Sequence, residues 1–315
     1  MTTAVHDAPA STVLGSDRST RIARALLVAL RVAFVVSIAG GDGSTAAVGR
    51  LGGDYPAFHA AGDMVLAGDG DRLYDAGLQQ AAQAPYYGDE DDGGYLPFAY
   101  PPAVALAYAP LAALPYAVGY VVQVAVMTAA LVVAIRLLGR RLAPATVPAV
   151  VVVAAALTFF PLFRAITAGQ NTAIALLLVA VAWRAMEADR QWAAGIALGL
   201  LAYKPQYAAV FLLVALVARR WKVLGGAVIG AGAIWVTSAL VAGPAWVSGW
   251  WSHAQDFAAR DTEIDRSNAV SWEGLVHLAV GRGTAADLLA GALVVATLGA
   301  VAWVGLRADR RGDLA

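Results

Sequence analysis

Ala193-Ala194-Gly195-Ile196-Ala197-Leu198-Gly199-Leu200-Leu201-Ala202-Tyr203-Lys204-Pro205-Gln206-Tyr207-Ala208-Ala209-Val210-Phe211-Leu212-Leu213-Val214-Ala215-Leu216-Val217 is an apolar run interrupted by a single charge. A bilayer core of about 30 Å takes about 20 apolar residues in a helix, so the run is long enough to cross. A lysine in its middle costs on the order of 2.5–3.5 kcal/mol on insertion scales and needs a reason to be there. Pro205 has no N–H to give and breaks the helix beside that lysine. The run reads as a membrane segment broken at its centre, and it sets the class of the chain: an all-α, polytopic transmembrane helical bundle.

The composition agrees. Of 315 residues, 60% are hydrophobic and 14% charged, with a mean hydropathy of +0.65; soluble domains carry about 25% charged residues. The 22 basic and 22 acidic residues cancel, so no bulk field points to nucleic acid. There is no cysteine, which excludes disulfides, thiolate chemistry and cysteine-ligated metals. Residues 1–20 read as a disordered cytoplasmic tail, and 21–315 as a single membrane domain without repeat or linker. Arg18, Arg21 and Arg24 precede the first apolar stretch, but no small-residue cleavage site follows it, so no signal peptide is expected. The Ala/Gly-rich composition fits a GC-rich bacterial genome, and hence a bacterial plasma membrane.

About eight spans are expected, over 22–39, 98–114, 117–138, 146–163, 172–186, 193–217, 223–242 and 285–306. Pro101, Pro102, Pro110 and Pro115 shorten and kink the second. Arginine and lysine in short loops mark cytoplasmic ends, as at Arg219-Arg220-Trp221-Lys222 and at Arg307 with Arg310-Arg311. Residues 42–97 hold ten acids against Arg50 and Arg72, and form a large extracytoplasmic first loop. Residues 243–283, with Trp246, Trp250, Trp251 and Trp272, form a second. Arg136, Arg140, Arg141, Arg184 and Arg190 fit this scheme only if part of 98–138, together with 193–217, is re-entrant. The sequence leaves that parity open.

Costly polar residues mark the candidate site. Lys204 is either a snorkelling lysine at a helix end or a point charge for a phosphate. Gly169-Gln170-Asn171 opens the fifth span; Asn171 caps the helix and Gln170 satisfies a neighbour, or both serve function. Arg164 is an interfacial arginine or a phosphate partner. In Gly53-Asp54-Tyr55-Pro56-Ala57-Phe58-His59, Asp54 is a turn or cap aspartate, or a carboxylate held at the membrane surface for chemistry. His59 shares its face if a helix follows. Asp69, Asp71 and Asp75 read as solvated turn residues. Asp89-Glu90-Asp91-Asp92 is a solvated acidic run without calcium-loop spacing. No hydrolase elbow, phosphate loop or dinucleotide fingerprint occurs in a fitting context.

The order of several segments resembles glycosyltransferase family 87, the polyprenol-phosphate-mannose-dependent mannosyltransferases of the GT-C membrane superfamily. The matching stretches are Gly53 to His59, Leu66-Ala67-Gly68-Asp69 with Leu73-Tyr74-Asp75, Phe98-Ala99-Tyr100-Pro101-Pro102, and Leu114-Pro115-Tyr116. Gly169-Gln170-Asn171, Lys204-Pro205-Gln206 and Asn268-Ala269-Val270-Ser271 follow. The resemblance spans roughly residues 50 to 275. It implies a sugar, usually mannose, carried on polyprenyl phosphate, and a glycolipid or glycan acceptor outside the cell. It implies Asp54 as the base of an inverting transfer, and no metal or cofactor. Lys204, and more weakly Arg164, would face the leaving phosphate. Gln170, Asn171 and Gln206, with His59 nearby, would bind sugar hydroxyls.

One departure stands out. Family members usually continue through further helices bearing a Ser-Pro-x-Ser-Trp-x-His motif, which is absent here; His253 and His277 lie in different contexts. The chain is therefore expected to be a short or truncated member. Two other classes compete: a lipid or solute transporter or flippase, which broken helices and an intramembrane lysine also suit, and a non-catalytic transferase-like partner.

Overall fold

The structure, a computed structural model, describes residues 52–86, 95–142, 165–264 and 271–311, with scattered helical positions at 20–29, 151 and 155. The expected spans over 22–39 and 146–163, the acidic run and Arg164 lie wholly or mostly outside these residues, as does the expected tail. Every regular element described is helical. The helices are α1 (Tyr55–Ala67), α2 (Ala76–Gln83), α3 (Pro102–Ala112), α4 (Tyr116–Leu142), α5 (Thr172–Glu187), α6 (Gln191–Leu200), α7 (Pro205–Val217), α8 (Trp221–Ala242), α9 (Trp246–Ile264), α10 (Trp272–Val280) and α11 (Thr284–Arg311).

Proline and glycine set several of the boundaries. Pro56, Pro102 and Pro205 sit in the first turns of α1, α3 and α7, where a missing N–H costs nothing and the fixed φ suits a helix. Gly68 ends α1 in the left-handed region, its N–H turned back to Met64 and Val65 carbonyls. That closes the helix as a C-terminal glycine does. In α2 the signal is Asp75, whose Oδ1 accepts from the Leu78 N–H at 3.0 Å. That N–H, foremost, and Arg72 hold the exposed Asp75 carboxyl below its ordinary range.

The most extensive helix contact is between α6 and α8. Added Cβ atoms would collide with Val223 O at Gly195, Ala227 O at Gly199, Trp192 O at Gly226 and Ile196 O at Gly230. These glycines, four apart on each helix, let the two backbones touch, the small-residue mode of packing in membranes. The pairing also gives a direction. Residues rise together along α6 and α8, so both start at one end. Helix α7 stops at Val217, just before α8 begins at Trp221, so it returns to that same end. Segment 191–217 is thus a helical hairpin with Lys204 at its apex.

The basic residues then fall into place. Helix α5 starts beside the apex, where Lys204 Nζ meets Thr172 Oγ1, and runs to Glu187 at the hairpin's open end, next to Arg190. Gly305 of α11 lies against Val214, near the foot of α7, which brings Arg307 to that end. Helix α4 starts at Tyr116, stacked on Tyr86, and at about 1.5 Å per residue carries Arg136 some 30 Å away from it. The basic clusters therefore gather opposite the Asp54 end.

Three helices are long and apolar enough to cross a membrane, over Tyr116–Leu138, Trp221–Ala242 and Thr284–Arg307. Leu240 of α8 and Leu288 and Val295 of α11 are exposed, an outward apolar face that suits lipid. The expected count of about eight spans is not reached among the described residues. The 98–114 segment holds an 11-residue helix, stopped by Pro101 and Pro115, and 193–217 is the hairpin. The two expected loops are also structured in part. Residues 55–67 form a helix with nine of its 13 residues buried, and 243–283 contains α9 and α10.

Two predictions follow from these contacts. Gly199→Val drives a branched side chain into the α8 backbone and should destabilise by at least about 1–3 kcal/mol, whereas Gly232, whose Cβ position is open, should accept alanine with a small gain; thermal unfolding in detergent separates the two. Because the folded Asp75 carboxyl titrates below its unfolded value, its contribution is present above the ordinary carboxylate range and lost as pH falls through the lowered value. The Tm difference between wild type and Asp75→Asn should therefore shrink as unfolding is followed from neutral into acid.

Candidate active site

The site is built where two distant backbone segments join. The short helical stretch 165–167 ends in a Schellman turn: Gln170 N–H returns to Ala165 O at 2.8 Å and Gly169 N–H to Ile166 O at 3.2 Å, with Gly169 at φ +83°. This arrangement caps helix carbonyls and needs a left-handed residue. A Cβ on Gly169 would also stand 2.8 Å from Tyr55 Cβ, so only glycine satisfies both the turn and its neighbour. The carbonyls just before it accept from the first loop: Gly52 N–H to Thr167 O at 2.6 Å and Asp54 N–H to Ala168 O at 2.9 Å. Tyr120 OH donates to Thr167 O at 2.7 Å.

Joined this way, the residues on either side of the turn meet. Gln170 Nε2 donates to Asp54 Oδ2 at 2.9 Å, and Tyr100 OH donates to Gln170 Oε1 at 3.1 Å. Lys204 Nζ lies 5.5 Å from the Tyr100 ring centroid and 5.8 Å from that of Tyr207, within cation–π range. It also donates to Thr172 Oγ1 at 3.4 Å. Lys204 is 7% exposed, so these contacts offset part of its burial. The Asp54 carboxylate acts electrostatically on both Lys204 and Tyr100. Asp54 occupies the N-cap position of α1 without a side-chain cap bond, and Asn171 does the same for α5. Asn171 is buried, and its Oδ1 has no hydrogen-bond partner; the capping reading of its side chain is therefore corrected.

The structure does not bring every expected residue together. Gln206 is exposed on the first turn of α7. His59 is buried in a separate aromatic nest of Tyr55, Tyr86 and Tyr116, with Nδ1 at 3.2 Å from Asp63 Oδ2 and 3.3 Å from Tyr86 OH. Arg164 lies outside the described residues. Among the described residues no three His, Asp or Glu side chains converge as metal ligands would.

Three groups were missed in the sequence. Tyr100, though part of a quoted motif, was given no role; the following Pro101-Pro102 keeps it extended and aims it at the site. Gln79 and Gln83, one turn apart on α2, fix the segment that carries it. Gln79 Oε1 accepts from Phe98 N–H at 2.7 Å. Gln83 exchanges two bonds with Leu96, at 2.9 and 3.0 Å. A buried glutamine pair at i,i+4 on a short helix was the available signal. Tyr74 OH, donating to Tyr100 O at 2.8 Å, and Trp250 Nε1, donating to Ala99 O at 3.1 Å, complete the hold.

An all-helical membrane protein with a carboxylate and a lysine joined through neutral polar groups at one end of its bundle has the parts of a group-transfer site. The family model for glycosyltransferase family 87 matches residues 98–315. The chain belongs to that family and is a membrane glycosyltransferase, which uses a sugar donor and an acceptor. Tyr100, Gln170, Asn171 and Lys204 lie inside the matched region and Asp54 precedes it. No curated protein and no solved structure matches the chain.

Gly169→Ala should displace the turn and the Asp54 backbone together. The left-handed φ alone costs roughly 1–2 kcal/mol for an L side chain, and the clash with Tyr55 adds to it. A lowered Tm together with lost transferase activity is the expected result; unchanged values of both would contradict the assigned turn.

Proposed function

We propose that this protein moves a sugar, mannose, from polyprenyl phosphate to a glycolipid or glycan acceptor on the extracytoplasmic side of a bacterial plasma membrane, with Asp54 as general base. The observation that carries this reading is the single polar network linking Asp54 to Lys204 through Gln170 and Tyr100. Asp54 takes the proton of the acceptor hydroxyl as its oxygen attacks the anomeric carbon. The bond from that carbon to the phosphate oxygen breaks, and polyprenyl phosphate leaves with the bonding pair. Inversion at the anomeric carbon follows from the single displacement.

A phosphate that leaves with its charge needs cations or aligned dipoles near it more than it needs an acid. Lys204 supplies the charge, and it touches Thr172 at the N-terminus of α5, where helix N–H groups favour anions. Arg164 is a further cation on this reading. On this reading the unpartnered Asn171 Oδ1 accepts from a sugar hydroxyl and the exposed Gln206 beside Lys204 is a further substrate contact, while His59 stays within its aromatic nest. The chemistry as written needs no metal or cofactor. The orientation rests on the basic clusters collecting at one end of the bundle: by the positive-inside bias that end is cytoplasmic and the Asp54 end faces outside. Residues 21–315 act as one membrane domain.

General-base catalysis contributes typically about 10²–10⁴-fold. Membranes holding the wild-type chain should transfer label from radiolabelled polyprenyl-phosphate-mannose to lipid acceptors, and Asp54→Asn should lose activity on that scale. Asp54→Asn with full activity in correctly inserted protein would remove Asp54 as the base.

A further inference from the structure

We infer that Tyr100 and Gln170 are positioning residues for Asp54: the tyrosine hydroxyl holds the glutamine amide so that its N–H, and not its carbonyl, faces the carboxylate. This rests on the reading of Asp54 as the general base.

The two ends of a carboxamide are nearly the same size, and only their hydrogen-bonding partners distinguish them. At Gln170 both ends are engaged, Nε2 with Asp54 Oδ2 at 2.9 Å and Oε1 with Tyr100 OH at 3.1 Å. An amide turned the other way sets its carbonyl oxygen against a carboxylate oxygen, two acceptors in contact. That arrangement is tolerable only when Asp54 carries a proton. The Tyr100 hydroxyl, as donor to Oε1, therefore favours the orientation that suits the ionised base. Gln170 in turn fixes one carboxylate oxygen and limits rotation of the group about its side-chain bonds.

The tyrosine is itself fixed. Its carbonyl accepts from Tyr74, and its ring lies 5.1 Å from Phe58 and 5.7 Å from Phe98. The charged and titratable groups around the pair are Lys204 at the hairpin apex, Tyr203 just before it, Tyr207 on α7, Tyr108 on α3 and Tyr74. Tyr100→Phe leaves all of these in place, including the ring under Lys204, and deletes one hydroxyl.

The test compares Tyr100→Phe, Gln170→Leu, Tyr74→Phe and Asp54→Asn in the full chain, with polyprenyl-phosphate-mannose as donor. Tyr100→Phe and Gln170→Leu should lower kcat by about ten- to a hundredfold, the scale of a reacting group out of position, with little change in acceptor KM. In Tyr100→Phe the acid limb of the pH–rate profile should rise by about half to one pH unit, the size of one neutral hydrogen bond. Tyr74→Phe frees the Tyr100 carbonyl without removing the hydroxyl that holds the amide, and should move the limb less than Tyr100→Phe does. A second readout needs no turnover: the infrared carboxyl band that disappears in Asp54→Asn should titrate at higher pH in Tyr100→Phe and Gln170→Leu.

An unmoved limb and an unmoved band in both variants, with Asp54→Asn inactive, overturns the positioning role and leaves the base standing. A moved band with Asp54→Asn still active does the reverse. Equal movement in Tyr74→Phe would make the effect a general loosening and overturn the proposal.

Discussion

The site depends on the join between Gly52-Gly53-Asp54 and the turn at Thr167-Ala168-Gly169. Two backbone hydrogen bonds and one left-handed glycine hold together segments more than a hundred residues apart. Each outcome downstream uses that join. Asp54 is presented at the start of α1 because its own N–H is tied to Ala168. Gln170 reaches it because the chain leaves Gly169 in a new direction. Tyr55 closes against Gly169 so tightly that a methyl group does not fit. Backbone-to-backbone anchoring is well suited to this task, since it positions a carboxylate without using the carboxylate's own oxygens.

The second support comes from the opposite side of the bundle. Gly195 and Gly199 on α6, and Gly226 and Gly230 on α8, bring two helices to backbone contact, and that contact carries the hairpin apex to the start of α5. A lysine on a continuous span would meet lipid or a neighbouring side chain at an arbitrary height. At the apex of a hairpin it meets instead the first turn of another helix, along with the Tyr100 and Tyr207 rings. The same geometry explains the distribution of charge. With 191–217 turned back, the arginines near residues 136, 190, 219 and 307 share an end of the bundle.

Much of this was legible in advance, and the rest was hidden for identifiable reasons. Lys204-Pro205 announced a broken segment because a charge and a missing N–H are local signals. The sense of the break was not local: it depends on Gly195 and Gly199 meeting α8, which 193–217 alone does not show. The 98–114 run was long and apolar enough to suggest a span, yet Pro101 before it and Pro115 after it confine the helix to 11 residues. Asp54, Gln170, Asn171 and Lys204 could each be named as costly polar groups. Their association could not, because the Asp54 and Gln170 partners are 116 residues apart. Tyr100 went unassigned for a related reason: an extended aromatic before two prolines looks like punctuation until Gln79 and Gln83 are seen to hold it.

The character of the link between the two charges also bears on the chemistry proposed. An amide and a phenol stand between Asp54 and Lys204, and both are neutral across the ordinary pH range. A carboxamide orients a carboxylate but does not exchange protons with it at useful rates, so Gln170 gives Asp54 no path for a proton toward Lys204. On the proposed reading, a proton taken from an acceptor hydroxyl stays on Asp54 and does not pass to Lys204. On that same reading Lys204 faces the phosphate rather than serving as the base's partner. A direct lysine–carboxylate contact would compensate both charges and make the carboxylate a weaker base. Interposing neutral donors keeps the base basic and the cation cationic within one polar network, which a displacement at an anomeric carbon requires on its two faces.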